Sequence, residues 1–138
     1  MTKVRIYTQV DLAGVDGEEL WAKPVGDDTY VVDSIPLVDT ELALGDVVHC
    51  VPVGGRLHVD RVLLRGGNYP LRILPNGVEL AARLREMGFR VRQGPAGVVG
   101  VSLAPDNPTH GLNSWLDTLL AQDLVQLAPG YQAAPPRE

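Results

Sequence analysis

The chain of 138 residues carries a formal net charge of −5, with 45% hydrophobic and 21% charged residues, the balance of an ordinary globular domain long enough to bury roughly 70% of its extended-chain surface. One cysteine excludes an intramolecular disulfide and a Cys-paired zinc site. No run approaches the ~18 consecutive apolar residues of a membrane span, and the start "MTKVRIYTQV" lacks the apolar core of a signal peptide, so the expected compartment is the cytosol.

In chain order, "KVRIYTQV" (3–10) alternates Val4 and Ile6 with Arg5 and Tyr7, the period of a half-buried strand. "ELWAKPVG" (19–26) and "TYVVDSIP" (29–36) flank the turn "GDD", and a loop then closes on Gly45-Asp46. "DVVHCVPVGGRLHVDRVL" (46–63) reads as a hairpin, and "GGN" separates it from the strand "YPLRILP" (69–75). Short strands spaced this closely predict a small β-barrel or a curled antiparallel sheet over residues 1–68.

At Pro75 the period changes. "PNGVELAARLREMGF" predicts a helix with Asn76 as N-cap, Glu79 at capping-box spacing, and a stripe of Leu80, Leu84 and Met87. "FRVRQ" and "GVVGVSLAP" read as strands, and "NPTHGLNSWLDTLLAQ" as a second helix led by Asn107-Pro108, with Leu112, Trp115, Leu116, Leu119 and Leu120 on one side. "DLVQLAPGY" supplies a last strand, and 131–138 a loose tail. Strand, helix, strand, strand, helix, strand over 69–130 is the ferredoxin-like split βαβ order, so the class is α+β. Trp21, Trp115 and Phe89 are expected as core or interface anchors.

The hairpin holds the most reactive-looking residues: His49, Cys50, His58 and Asp60. Taking Gly54-Gly55 as a two-residue primed turn places Val53 opposite Arg56, Val51 opposite His58, His49 opposite Asp60 and Val47 opposite Val62. One face then carries Val47, His49, Val51, His58 and Asp60; the other, expected inside, carries Val48, Cys50, Leu57, Val59 and Leu63. Cys50 points away from both histidines, so a Cys-His pair fails on geometry. His49, His58 and Asp60 share a face and are the candidates for a two-His, one-carboxylate metal cluster or a small enzyme site. The simpler expectation is a surface His49–Asp60 pair with no metal and no other cofactor.

Other signals carry less chemistry. "GPAGVVG" (94–100) precedes a strand instead of opening a helix, so it gives no support to a phosphate cradle and reads as a turn plus a close-packed strand. His110 lies at a helix start, and Ser34, Ser102 and Ser114 lie outside any nucleophile elbow.

Charge is unevenly spread: −7 over residues 1–55, +5 over 56–92 and −3 over 93–138. Such a gradient disfavours nucleic acid as a partner. It fits a basic protein surface, or halves that neutralise each other on folding. Asp27, Asp28, Asp39, Glu41 and Asp46 are the expected partner-binding carboxylates.

"ELWAKPVGDDTYVVDSIP", "LALGDVVHCVPVGGRLHVDRVL" and "YPLRILP…LAARLREMGFRV" together resemble the bacterial domain-of-unknown-function family 4265 over residues 19–128. Its "IP…LGDVV…GRL" framework consists of turn and core elements, so the resemblance implies a small cytosolic accessory domain and transfers no catalytic residue. Combined with the residue-level reading, the expectation is a non-enzymatic protein-interaction module. Its sharper form is an acidic immunity- or antitoxin-like inhibitor, bound to another protein and not to nucleic acid or membrane, with self-association through strand edges left open. A small enzyme at His49, His58 and Asp60, or a ligand-sensing regulatory domain, are the alternatives.

Overall fold

The computed structural model describes residues 2–12, 15–39, 41–94, 97–106 and 110–127, with only the backbone course at 10–12, 15, 16 and 110. The expected Asn107-Pro108 helix lead and the tail 131–138 lie outside the described residues, as does the side chain of His110. The elements run β1 (Val4–Leu12), β2 (Val15–Gly26), β3 (Thr29–Val32), β4 (Val47–Val53), β5 (Arg56–Leu64), β6 (Tyr69–Pro75), α1 (Ala81–Glu86), β7 (Arg90–Gln93), β8 (Val99–Leu103), α2 (His110–Ala121) and β9 (Val125–Leu127). The fold is α+β, with mostly antiparallel sheets and two helices.

Strands β1 to β5 form a curled ring in sequence order. Each neighbour pairs antiparallel until β5 returns to β1 in parallel, with Ile6 opposite Leu57 and Tyr7 opposite His58. That parallel seam departs from an all-antiparallel expectation. Strand alternation sends Ile6, Leu20, Ala22, Val32, Val48 and Cys50 to the interior, where Leu42 from the β3–β4 connection joins them.

The second sheet runs β7-β8-β6-β9, all neighbours antiparallel. Its Ile73, Val99, Val101 and Val125 pack with Leu80 at the N-cap of α1, Leu84 within it, and Leu112 and Leu116 of α2. Burying each such side chain contributes roughly 1.5–3 kcal/mol. The opposite side of the sheet meets the β3–β4 connection. A Cβ at Gly100 would fall 2.6 Å from a Leu37 methyl and 3.0 Å from Ile35, so the bare glycine lets the connection lie against the strand. Arg72 of β6 donates to the Leu37 carbonyl at 2.6 Å, and Arg92 of β7 to that of Ile35 at 2.8 Å.

Several local expectations change. Helix α1 begins at Ala81 with Leu80 at the N-cap position, not at Asn76. Asn76 instead donates its side-chain amide to the Asp123 carbonyl, while Glu79 accepts the Ala82 N–H at 2.9 Å. Of the expected core or interface anchors, Phe89 is buried in the second core, while Trp21 is 43% exposed, which leaves it the interface alternative. No helix among the described residues is long and apolar enough to cross a membrane.

Candidate functional site

The β4–β5 hairpin turns on Gly54-Gly55, whose φ values of 58° and 83° meet the two-residue primed turn. Val53 faces Arg56 and Val51 faces His58 as expected, but the register then shifts. His49 lies opposite Arg61, Val48 opposite Val62 and Val47 opposite Leu64, leaving Asp60 and Leu63 as extra residues. Each bulge inverts the alternation, so Val62 packs against the interior and Leu63, expected inside, is 45% exposed. Cys50 is fully buried. Burial pushes its thiol up to about 11, with the charges of Asp28 and Asp60 acting in the same direction.

His49 Nδ1 and Asp60 Oδ2 stand 3.1 Å apart, and Arg61 donates to the same carboxylate oxygen at 2.9 Å. His58 and Tyr7 meet edge to face, ring centroids 5.0 Å apart at 67°. The structure therefore brings His49 and Asp60 together without His58. Among the described residues no three His, Cys, Asp or Glu side chains could jointly hold a metal ion.

The five acidic candidates fall into two groups. Asp27, Asp28 and Glu41 are exposed. Asp39 is buried, accepting from the Thr8 hydroxyl and from the Glu41 N–H at 2.8 Å. Asp46, 1% exposed, accepts the N–H groups of Ala43 at 3.0 Å and Gly66 at 2.9 Å and pairs with Arg65 at 3.0 Å. Arg90–Asp33 and Arg92–Glu18 likewise join the basic segment to the acidic half, so the charge gradient is partly spent on internal pairing.

The site that alternation did not single out lies outside the ring. Arg5 and Tyr7 on β1, Glu19 and Trp21 on β2 and Arg56 on β5 line an open groove of about 550 Å³, which Arg92 and Ser34 complete. The Arg5 guanidinium stacks over Trp21 and that of Arg56 over Tyr7, each 4.8 Å from the ring centroid. Pairing explains the alignment: Arg5 is opposite Trp21 and Tyr7 opposite Glu19 across β1–β2, while Tyr7 is opposite His58 across β1–β5. Arg5 reaches Glu19 at 3.5 Å, and among the described residues Arg56 meets no carboxylate. The outward residues of one strand were legible; their convergence required the register of three.

Below the groove, buried Glu18 holds its walls together. Its Oε2 accepts the Leu37 N–H at 2.7 Å and Arg92 Nη1 at 3.2 Å, and its Oε1 accepts the N–H groups of Val38 and Asp39 at 3.1 Å. The groove can bind and orient an anionic or flat group; a nucleophile with an adjacent base is not assembled among the described residues that line it.

A family model described as a domain of unknown function, DUF4265, matches residues 18–127. The crystal structure of a hypothetical protein from Neisseria gonorrhoeae superposes with a TM-score of 0.79 at 18% identity, covering 98% of this chain and 99% of that one. At that identity the likeness concerns the fold alone. No curated protein matches.

Proposed function

Because the chain belongs to the DUF4265 family, whose description assigns no activity, we propose that it is a non-enzymatic cytosolic protein-interaction module. Its immunity- or antitoxin-like form occludes a partner protein through the N-terminal β half. The observation that carries this reading is the pair of arginine–aromatic stacks, exposed Arg5 on exposed Trp21 and exposed Arg56 on part-buried Tyr7. Trp, Tyr and Arg are the residue types that dominate binding energy at protein interfaces, and here they share one groove. The same reading treats 1–68 as a barrel-like domain and 69–130 as a ferredoxin-like half. The order β7-β8-β6-β9, with α1 between β6 and β7 and α2 between β8 and β9, supports the latter.

Affinity copurification at low salt, run in parallel with wild type and Trp21→Ala, tests the module. Recovery of one protein by wild type, lost with Trp21→Ala at unchanged melting temperature, supports it. Recovery of no protein, or equal recovery by both, refutes it.

A further inference from the structure

We propose that the groove between the ring and β7 receives an acidic, extended segment of a partner protein, with Arg56 as its principal contact. The inference rests on the interaction-module reading and adds the chemistry of the partner.

Charge comes first. In a chain with net charge −5, three arginines, Arg5, Arg56 and Arg92, face one groove. Of the two carboxylates there among the described residues, Glu18 is 6% exposed and is occupied by three backbone N–H groups and Arg92. Glu19 is shared with Arg5 at 3.5 Å, a long contact between two exposed side chains. Among the described residues Arg56 pairs with no carboxylate, so it offers its guanidinium to a ligand. Its Cζ lies 4.8 Å from the Tyr7 ring centroid, a cation–π contact that uses none of the N–H donors a carboxylate would need. The ring restricts the side chain before any ligand arrives, which lowers the ordering cost of binding.

Shape then selects among anions. Small-molecule sites enclose about 70–90% of their ligand, whereas Arg5 and Trp21 in this groove are 61% and 43% exposed. An open surface built from two arginine–aromatic stacks suits a chain segment lying across it. A single-stranded oligonucleotide would share the charge attraction, so it enters the test as a comparison arm.

The test is fluorescence anisotropy of a short fluorescein-labelled peptide of alternating glutamate and serine, with a lysine–serine peptide, a single-stranded oligothymidine and inorganic phosphate as comparison arms. Wild type should bind the acidic peptide, weakening as salt rises. Arg56→Gln should weaken binding roughly tenfold or more, since a bond between charged groups is lost. Arg56→Lys should fall between, and Arg85→Gln, an exposed arginine outside the groove, should match wild type. Melting curves of every variant confirm the fold.

The proposal is overturned by absence of acidic-peptide binding at protein concentrations near about 1 mM, the weakest affinity worth assigning to a site. Equal loss in Arg56→Gln and Arg85→Gln overturns it too. Tighter, Arg56-dependent binding of the oligonucleotide replaces it with a nucleic-acid site, and displacement of the peptide by phosphate at similar concentration replaces it with a small-oxyanion site. Persistence of Trp21-dependent capture while the acidic peptide fails to bind would leave the module standing and remove only the acidic chemistry.

Discussion

Glu18→Ala removes the acceptor of three consecutive N–H groups, at Leu37, Val38 and Asp39, and of the Arg92 guanidinium. Leu37 and Asp39 are 7% and 8% exposed, so their donors cannot all turn to water without opening the connection; Val38, part-buried, can partly recover. A hydrogen bond to a charged acceptor contributes about 1.5–3 kcal/mol, and three of them are lost together, with part-buried Val38 recovering some of its share from water. We expect a loss of about 3–5 kcal/mol, a large share of the 5–15 kcal/mol typical of a domain. Glu18→Gln keeps one oxygen but presents an amide to the other donors, and should cost roughly half as much. Arg92→Ala should cost about 1–2 kcal/mol: the Arg92 side chain is 36% exposed, so solvent screens its pairing with Glu18, but its hydrogen bond to the Ile35 carbonyl is lost as well. Urea unfolding at constant m-value reads all three. The reasoning is refuted by a Glu18→Ala loss below about 1 kcal/mol, or by an Arg92→Ala loss as large as that of Glu18→Ala.

Gly54→Ala should cost about 1 kcal/mol in the same assay, because φ is +58° with no atom near the added methyl. Replacing Gly54-Gly55 by Asn-Gly should be neutral or stabilising, and a loss equal to that of Gly54→Ala would contradict the turn assignment. Cys50, buried and with its thiol pushed up to about 11, should resist a thiol reagent at roughly pH 8 until the chain unfolds; fast labelling of folded protein would contradict this. The Asp33 carboxyl is held below the ordinary carboxylate range, chiefly by the hydrogen bond from Lys3, with Lys23, Lys3 and Arg90 charges helping and burial opposing. A lowered folded value adds stability above the unfolded value of about 3.9 that is lost as pH falls through the folded value. Asp33→Asn should therefore lose less stability than wild type on acidification below about pH 4, and parallel acid profiles would count against the pairing.

Period-two and helical patterns carried the ring strands, the second core and the Gly-Gly turn because each is decided within a few residues. Val4–Ile6, Leu80–Leu84 and Leu112–Leu116 each report their own face. The bulges at Asp60 and Leu63 lay beyond that logic, since an extra residue leaves the local alternation intact and only reverses which side is inward. The roles of Glu18 and Asp46 were equally hidden: a carboxylate that will cap backbone N–H groups is indistinguishable in sequence from a solvated one. The family framework "IP…LGD" falls in this hidden category. Ile35 and Leu37 press against Gly100 of the second sheet, Asp46 ties Ala43 to Gly66, and Arg72 and Arg92 grip the Leu37 and Ile35 carbonyls. The framework thus belongs to the joint between ring and sheet. Arg92 and Glu18, parts of that joint, also line the groove beside Arg5, Arg56 and Trp21. Loosening the joint at Glu18 should therefore displace Arg92 and weaken groove binding as well as stability, whereas Arg56→Gln should change binding alone.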